Sequence, residues 1–160
     1  MWPVTPSTTA PATDNTIEPT VKPTTTILKS CPQSGYQLFV DFNCYKGYDE
    51  LLRWSNAREQ CRSDGGDLMV AESERERKEV YSTMYQSVSS TGYLPWMGVY
   101  FLEHGKSWVS VKGEPARSIW WGRGQPYNRA DRKCAAARSS GQLGSVSCEE
   151  LRPFICEIAL

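Results

Sequence analysis

Gln125-Pro126-Tyr127-Asn128 sets two side-chain amides and a phenol around one proline. Amide oxygens are hard ligands, so this stretch holds half of a cation site, with Tyr127 where a third oxygen would help. The residues that follow oppose a cation: Arg129, Arg132 and Lys133 come next, with Asp131 between them. Widening the window to 115–148 adds Arg117, Arg123 and Arg138 and no further acid. Trp120, Trp121 and Tyr127 are interleaved with these cations. Arginine and aromatic side chains anchor binding interfaces, and a locally basic surface attracts anionic glycans or acidic proteins even at zero net charge. Metal coordination and anion recognition therefore compete for one segment, against the plainer reading of a solvated loop.

Catalysis has less to stand on. His104 is the single histidine, in Glu103-His104-Gly105-Lys106, and reads as a solvent-exposed turn residue. A hydrolytic triad needs a nucleophile, a histidine and an orienting acid brought together, and no GxSxG or HExxH pattern occurs. No pair of acids stands out for glycoside cleavage. The chain reads as a binder and not an enzyme.

The elements that must hold these residues follow from composition and pattern. The chain has 160 residues, with 18 basic and 18 acidic side chains. That is enough for one domain with a core, and the balance gives no sign of a nucleic-acid partner. No apolar run reaches the ~18 residues of a membrane span. Met1-Trp2-Pro3 opens no secretory leader, so export implies a signal or anchor upstream or already removed. Residues 1–30 are rich in Thr and Pro, a composition that cannot bury enough apolar surface to fold and that fits an O-glycosylated mucin-like stalk. No Asn-x-Ser/Thr sequon occurs.

Residues 31–160 hold all six cysteines, at 31, 44, 61, 134, 148 and 156. An even count without a CxxC pair reads as disulfides, and disulfides imply an oxidising, extracellular setting. Six cysteines allow 15 pairings, and spacing does not choose among them. Tyr36–Val40 has strand character. The stretch 49–61 reads as a helix, with Asp49 as N-cap and Leu51, Trp54, Ala57 and Cys61 on one face, stopped by Gly65-Gly66. Ser73-x-x-Glu76 is a capping box that opens a second helix. The runs WMGVYF, SWVSV and PFICEI read as short strands. Two helices followed by short strands imply an α+β fold with antiparallel pairing.

In order along the chain stand Cys31-Pro32, Cys44-Tyr45, Trp54-Ser-Asn-Ala57, Cys61, Gly65-Gly66-Asp-Leu68, Ser73-x-x-Glu76, Trp96-Met-Gly98, Trp108, Trp121-x-x-Gly124-Gln125-Pro126, Cys134, Cys148 and Phe154-Ile-Cys156-Glu157. This ordered set resembles the C-type lectin-like domain, long form with six cysteines, over residues 31–160. The resemblance implies two helices, antiparallel sheets and a long irregular loop region, stapled by Cys31–Cys44, Cys61–Cys156 and Cys134–Cys148. It also implies a cis bond before Pro126 and a core position for Trp121.

In sugar-binding members of this family, calcium is held by residues flanking the proline, by a Glu before the cysteine matched by Cys134, and by a Trp-Asn-Asp triplet. Here Gln125 matches, Tyr127 replaces an Asn or Asp, Arg132 and Lys133 replace acids, and Leu143-Gly144-Ser145 replaces the triplet. At an effective dielectric of ~20, one like charge ~4 Å away costs about 4 kcal/mol, and calcium carries two charges. Only Asp131 remains as a substitute ligand. The resemblance therefore implies a loop face that binds without calcium. Its contact residues are expected to be Trp120, Arg123, Gln125, Tyr127, Asn128, Arg129, Arg132 and Lys133. The expected ligand is an extracellular protein or a sulfated, anionic glycan. Two alternatives are a calcium-dependent lectin with a rearranged loop, and a structural or ice-binding role. No cofactor is required. The Cys61–Cys156 bridge would also gather Glu72, Glu76 and Glu157, where some members hold a structural calcium with a carbonyl such as that of Val70. Otherwise these acids serve as a cap and in salt bridges.

Overall fold

Strand pairing, more than local propensity, decides where the first helix begins. The computed structural model describes residues 3–13, 29–39 and 41–160. The expected stalk lies mostly outside them. Its described residues, 3–13 and 29–30, have no regular structure, and 3–13 are exposed throughout. Within the expected strand at Tyr36–Val40, β1 spans Gln37–Leu38, and Val40 lies outside the described residues.

Strand β2 runs over Cys44–Leu52. Residues 49–52 therefore belong to a strand, not to the start of the helix as their sequence suggests. Helix α1 spans Trp54–Ser63 behind an extended Arg53 that makes no side-chain cap. The reason is tertiary: β2 lies antiparallel along the last strand from Cys44↔Ile158 to Leu52↔Arg152, and such pairing overrides the weak helix preference of a Glu-Leu-Leu run. Leu51 is consequently exposed. Trp54, Ala57 and Cys61 do share the buried face of α1. Gly65, with φ +93°, takes the left-handed turn after the helix, which glycine adopts without steric cost.

The second helix, α2, covers 74–88 and includes one π-helical turn at Arg77–Tyr81. Ser73 Oγ accepts from the Glu76 N–H at 3.1 Å, as a capping box requires. Glu76 Oε2 reaches back to the Glu72 N–H at 2.7 Å, one residue earlier than the cap itself. Exposed pairs such as Lys78–Glu74 and Arg75–Glu79 line the outer face.

Six further strands complete the sheet: β3 Asp67–Leu68, β4 Trp96–Leu102, β5 Ser107–Ser110, β6 Cys134–Ala137, β7 Leu143–Val146 and β8 Arg152–Ile158. The order is β1-β2-β8-β4-β6-β7, with β3 on β8 and β5 on β4. Pairing is antiparallel except where β4 meets β8 at Trp96↔Phe154. The sequence signalled β4, β5 and β8. It did not signal β6 and β7, whose Ala- and Gly-containing segments carry little strand pattern.

The core divides around β8. On one side Trp54, Leu68, Trp96 and Phe154 pack with the Cys61–Cys156 bridge. On the other, Tyr45, Met69, Val80, Met84, Met97 and Ile155 pack beneath α2. Both indole N–H groups at the first side find carbonyls, Trp54 on Met97 at 2.9 Å and Trp96 on Leu52 at 2.7 Å. Gly98 is required by contact: a Cβ there would lie 2.5 Å from the Leu68 carbonyl oxygen. The disulfides are Cys31–Cys44, Cys61–Cys156 and Cys134–Cys148, the pairing implied by the resemblance.

Candidate functional site

The segment 121–133 has no strand or helix of its own beyond an isolated bridge at Trp121, so its shape rests on what borders it. Trp121 stacks edge-on against Trp108 with ring centres 4.9 Å apart. The Gln125–Pro126 bond is cis. Ser145, on β7 and 2 % exposed, ties the proline loop down. Its backbone N–H donates to Gln125 Oε1 at 3.0 Å, and its hydroxyl accepts from the Tyr127 N–H at 2.9 Å. The hydroxyl proton then has Gln125 Oε1 and the Tyr127 carbonyl oxygen as acceptors, each at 3.3 Å.

This knot stands where the resemblance would place calcium ligands, and its donor set does not fit the ion. The amide oxygen of Gln125 is spent on Ser145. Asp131, the one acid left as a substitute, pairs with Arg129 at 3.3 Å. Arg132 lies 5.9 Å from the centre of the Tyr127 ring, and Lys133 pairs with Glu103. Oxygen ligands with net negative charge are what calcium needs, and this face is net basic.

Beside the knot opens a cavity of about 400 Å³. Tyr127, Asn128, Arg129, Ala130, Arg132 and Lys133 form one wall, while Phe101, Lys106 and Trp108 from the β4–β5 hairpin form the other. Tyr127 is 52 % exposed. The structure thus gathers five of the eight contact residues expected from sequence. Gln125 stays half-buried in the knot, and Arg123, although exposed, does not line the cavity. Trp120 departs most from expectation: it is 4 % exposed and packs in the core, because the 3₁₀ turn Ser118–Trp120 folds it inward. Its neighbour Trp121 is the half-buried member of the pair. Sequence reasoning missed Phe101, Lys106 and Trp108. The only signal for them was hairpin pairing, which sets Phe101 opposite Trp108. What brings that hairpin to the loop is the Phe101 N–H donating to the Lys133 carbonyl at 2.8 Å, and no local pattern encodes this bond.

The second expected cation site holds a cation of another kind. Lys112 Nζ lies 2.8 Å from Glu72 Oε1 and 3.1 Å from Glu157 Oε1. Asn43 Nδ2 and the Val70 N–H also donate to Glu157, at 2.7 and 3.2 Å. Glu76 is engaged elsewhere, accepting from the Tyr45 hydroxyl at 2.6 Å and from the Glu72 N–H at 2.7 Å. The three acids are therefore not one ligand set. Among the described residues no group of three His, Cys, Asp or Glu side chains is placed to hold a metal, and the ammonium occupies the space between two of the carboxylates. Burial raises the Glu157 carboxyl above its ordinary pKa, against the opposing pull of Lys112. Burial would lower the Lys112 ammonium, but the charge of Glu157 and the bond to Glu72 outweigh it and leave it raised.

Two helices, a mixed sheet around three disulfides and an irregular loop face define a C-type lectin-like domain. The chain belongs to the C-type lectin family: the model of the lectin C-type domain matches residues 50–158. It is similar to natural killer cells antigen CD94 of Canis lupus familiaris, 30 % identical over 80 % of this chain and 65 % of that protein. Similarity to the hemolymph lipopolysaccharide-binding protein of Periplaneta americana is 27 % over 79 % and 53 % respectively. The chain therefore spans roughly half to two thirds of these relatives. Among solved structures, the carbohydrate-recognition domain of mouse scavenger receptor C-type lectin superposes with a TM-score of 0.67 at 26 % identity, covering 81 % of this chain and 96 % of that one. A calcium-independent type II antifreeze protein shares the fold alone, at 19 % identity, TM-score 0.68, and coverage of 81 % and 95 %. The names of these proteins thus span an antigen, a lipopolysaccharide-binding protein, a scavenger receptor lectin and an antifreeze protein. Among the described residues no helix is long and apolar enough to cross a membrane.

Proposed function

We propose that this domain is a non-catalytic extracellular recognition module, displayed on the Thr/Pro-rich stalk of residues 1–30. It takes a protein or anionic glycan ligand at the long-loop face without calcium. The observation that carries this reading is the cavity of about 400 Å³ with Tyr127 on one wall, Trp108 on the other, and Arg129, Arg132, Lys106 and Lys133 around it. Its size falls within the ~300–1,000 Å³ of small-ligand sites. Its residue types are those that dominate binding energy. One relative is named for lipopolysaccharide binding, in keeping with a glycan as one ligand class.

The test is a screen of glycan and ectodomain arrays with this chain, in calcium and in chelator. Ligands are expected to persist in chelator and to be lost in the double variant Tyr127→Ala/Arg132→Ala. Binding abolished by chelator would instead favour a calcium-dependent lectin with a rearranged loop. A clean failure in both buffers would favour a structural or ice-binding role.

A further inference from the structure

Once internal pairing is counted, each wall of the loop-face cavity keeps one surplus positive charge. Arg129 is paired with Asp131 and Lys133 with Glu103. Among the described residues Arg132 and Lys106 make no ion pair, so two positive charges remain in surplus, one on each wall. Between them stand aromatic surfaces, Tyr127 on the loop and Trp108 on the hairpin. Lys106 is held in the β4–β5 turn at φ +48°, which fixes its backbone relative to Trp108 two residues on.

We infer that the ligand class of this cavity is a sulfated saccharide, with a pyranose ring against Tyr127 and Trp108 and sulfate esters on Arg132 and Lys106. This deepens the reading above and rests on it. Three observations favour this class. A sulfated pyranose presents an apolar C–H face and anionic sulfate esters at its edges, which matches aromatic walls flanked by cations. The surplus charge is at opposite walls rather than at one point, so it suits a ligand with more than one anionic group. A peptide adding a strand to a sheet needs an open edge, and the outer edge of β5 next to the cavity is already taken. There the Ala116 N–H donates to the Trp108 carbonyl at 2.9 Å, and the Ser110 N–H to the Glu114 carbonyl at 2.8 Å.

The experiment uses the whole chain in chelator at ~0.15 M salt, where unpaired surface attraction is screened beyond ~8 Å. The probes are a heparin-type sulfated hexasaccharide, its desulfated counterpart and a poly-glutamate peptide, followed by calorimetry. The sulfated probe is expected to bind at least about tenfold more tightly than the desulfated one, the effect of losing one charge-assisted hydrogen bond. Arg132→Ala and Lys106→Ala should each weaken it about tenfold, Arg132→Lys less, and Tyr127→Ala comparably to the charge deletions. Arg62→Ala, at an exposed position on α1, should leave it unchanged. All four sites are exposed or half-buried, and unchanged melting temperatures will certify folding. Equal binding of the desulfated probe, or an equal loss in Arg62→Ala, overturns the inference. If poly-glutamate binds through Arg132 and Tyr127 while the saccharide does not, the saccharide is wrong and the recognition module stands. If no probe and no array ligand binds, both readings fall.

Discussion

At Lys112 a tethered ammonium stands between two carboxylates. Glu157 is 4 % exposed, and burial favours its neutral form. Because its folded-state pKa is raised, the folded chain holds that proton more tightly than the unfolded chain does. The ionised form is therefore a cost that appears as pH rises past the unfolded value of ~4.3. Lys112 offsets that cost. Lys112→Met should lower stability at neutral pH by about 2 kcal/mol. That is less than the ~3–5 kcal/mol for breaking a fully buried pair, because Lys112 is 36 % exposed. The deficit relative to the unmodified chain should shrink as pH falls toward 4.5, when Glu157 takes up a proton. Paired melting curves from pH 4.5 to 8 measure this difference, and a deficit constant across that range would contradict the argument. The sequence displayed the acids but not their partner. Glu72 and Glu76 are neighbours on one turn and can be read together. Lys112 stands forty positions away in an ordinary Val-Lys-Gly-Glu turn, and only the folded sheet brings it there.

Elements were legible where one local signal dominated. Ser73 capped its helix as its type requires, and the Trp- and Val-rich runs became β4 and β5. The start of α1 was misplaced because residues 49–52 are locally helix-compatible, while their fate is set by hydrogen bonds to β8 a hundred residues later. The disulfides divide along the same lines. Cys61–Cys156 joins α1 to β8 across 95 residues, and Cys134–Cys148 closes 14 residues around β6 and β7. On the chain-entropy account the first is worth roughly 4–5 kcal/mol and the second about 3 kcal/mol. Replacing Cys61 and Cys156 by Ala should lower the global melting temperature more than replacing Cys134 and Cys148. The shorter bridge borders the 121–133 loop. Its loss should therefore show first as faster hydrogen exchange in 121–146, with the β2–β8 amides still protected. Calorimetry and exchange mass spectrometry on the two double variants separate these effects, and uniform exchange in both would remove the distinction.

For the whole molecule, the calcium-free reading proposed above raises the question of what replaces an ion as the organiser of the loop face. The basic character of 123–133 was readable in the sequence, and so was the loss of acids at Arg132 and Lys133. The replacement was not readable, because Ser145 is an unremarkable residue until β7 places its N–H and hydroxyl on Gln125 and Tyr127. Nor was the inward turn of Trp120, which differs from Trp121 by one step in a 3₁₀ turn. With Ser145 engaging Gln125 and Tyr127 at one candidate position and Lys112 between two acids at the other, the calcium-free reading proposed above requires that calcium gain no affinity from folding. Ligands stabilise only through such a difference: a site of ~1 mM affinity at tenfold excess of ion would add about 1.4 kcal/mol. The melting temperature in calcium at that excess should therefore equal that in chelator. The variant Arg132→Glu/Lys133→Asp, which restores acids but leaves Gln125 engaged by Ser145, should respond to calcium weakly. Adding Ser145→Asp removes the hydroxyl contact to Gln125 but keeps the backbone N–H on it; by supplying a third carboxylate it should make the rise measurable. A calcium-induced rise in the unmodified chain would show that the hydrogen-bonded knot opens for the ion, and would return this face to metal-dependent recognition.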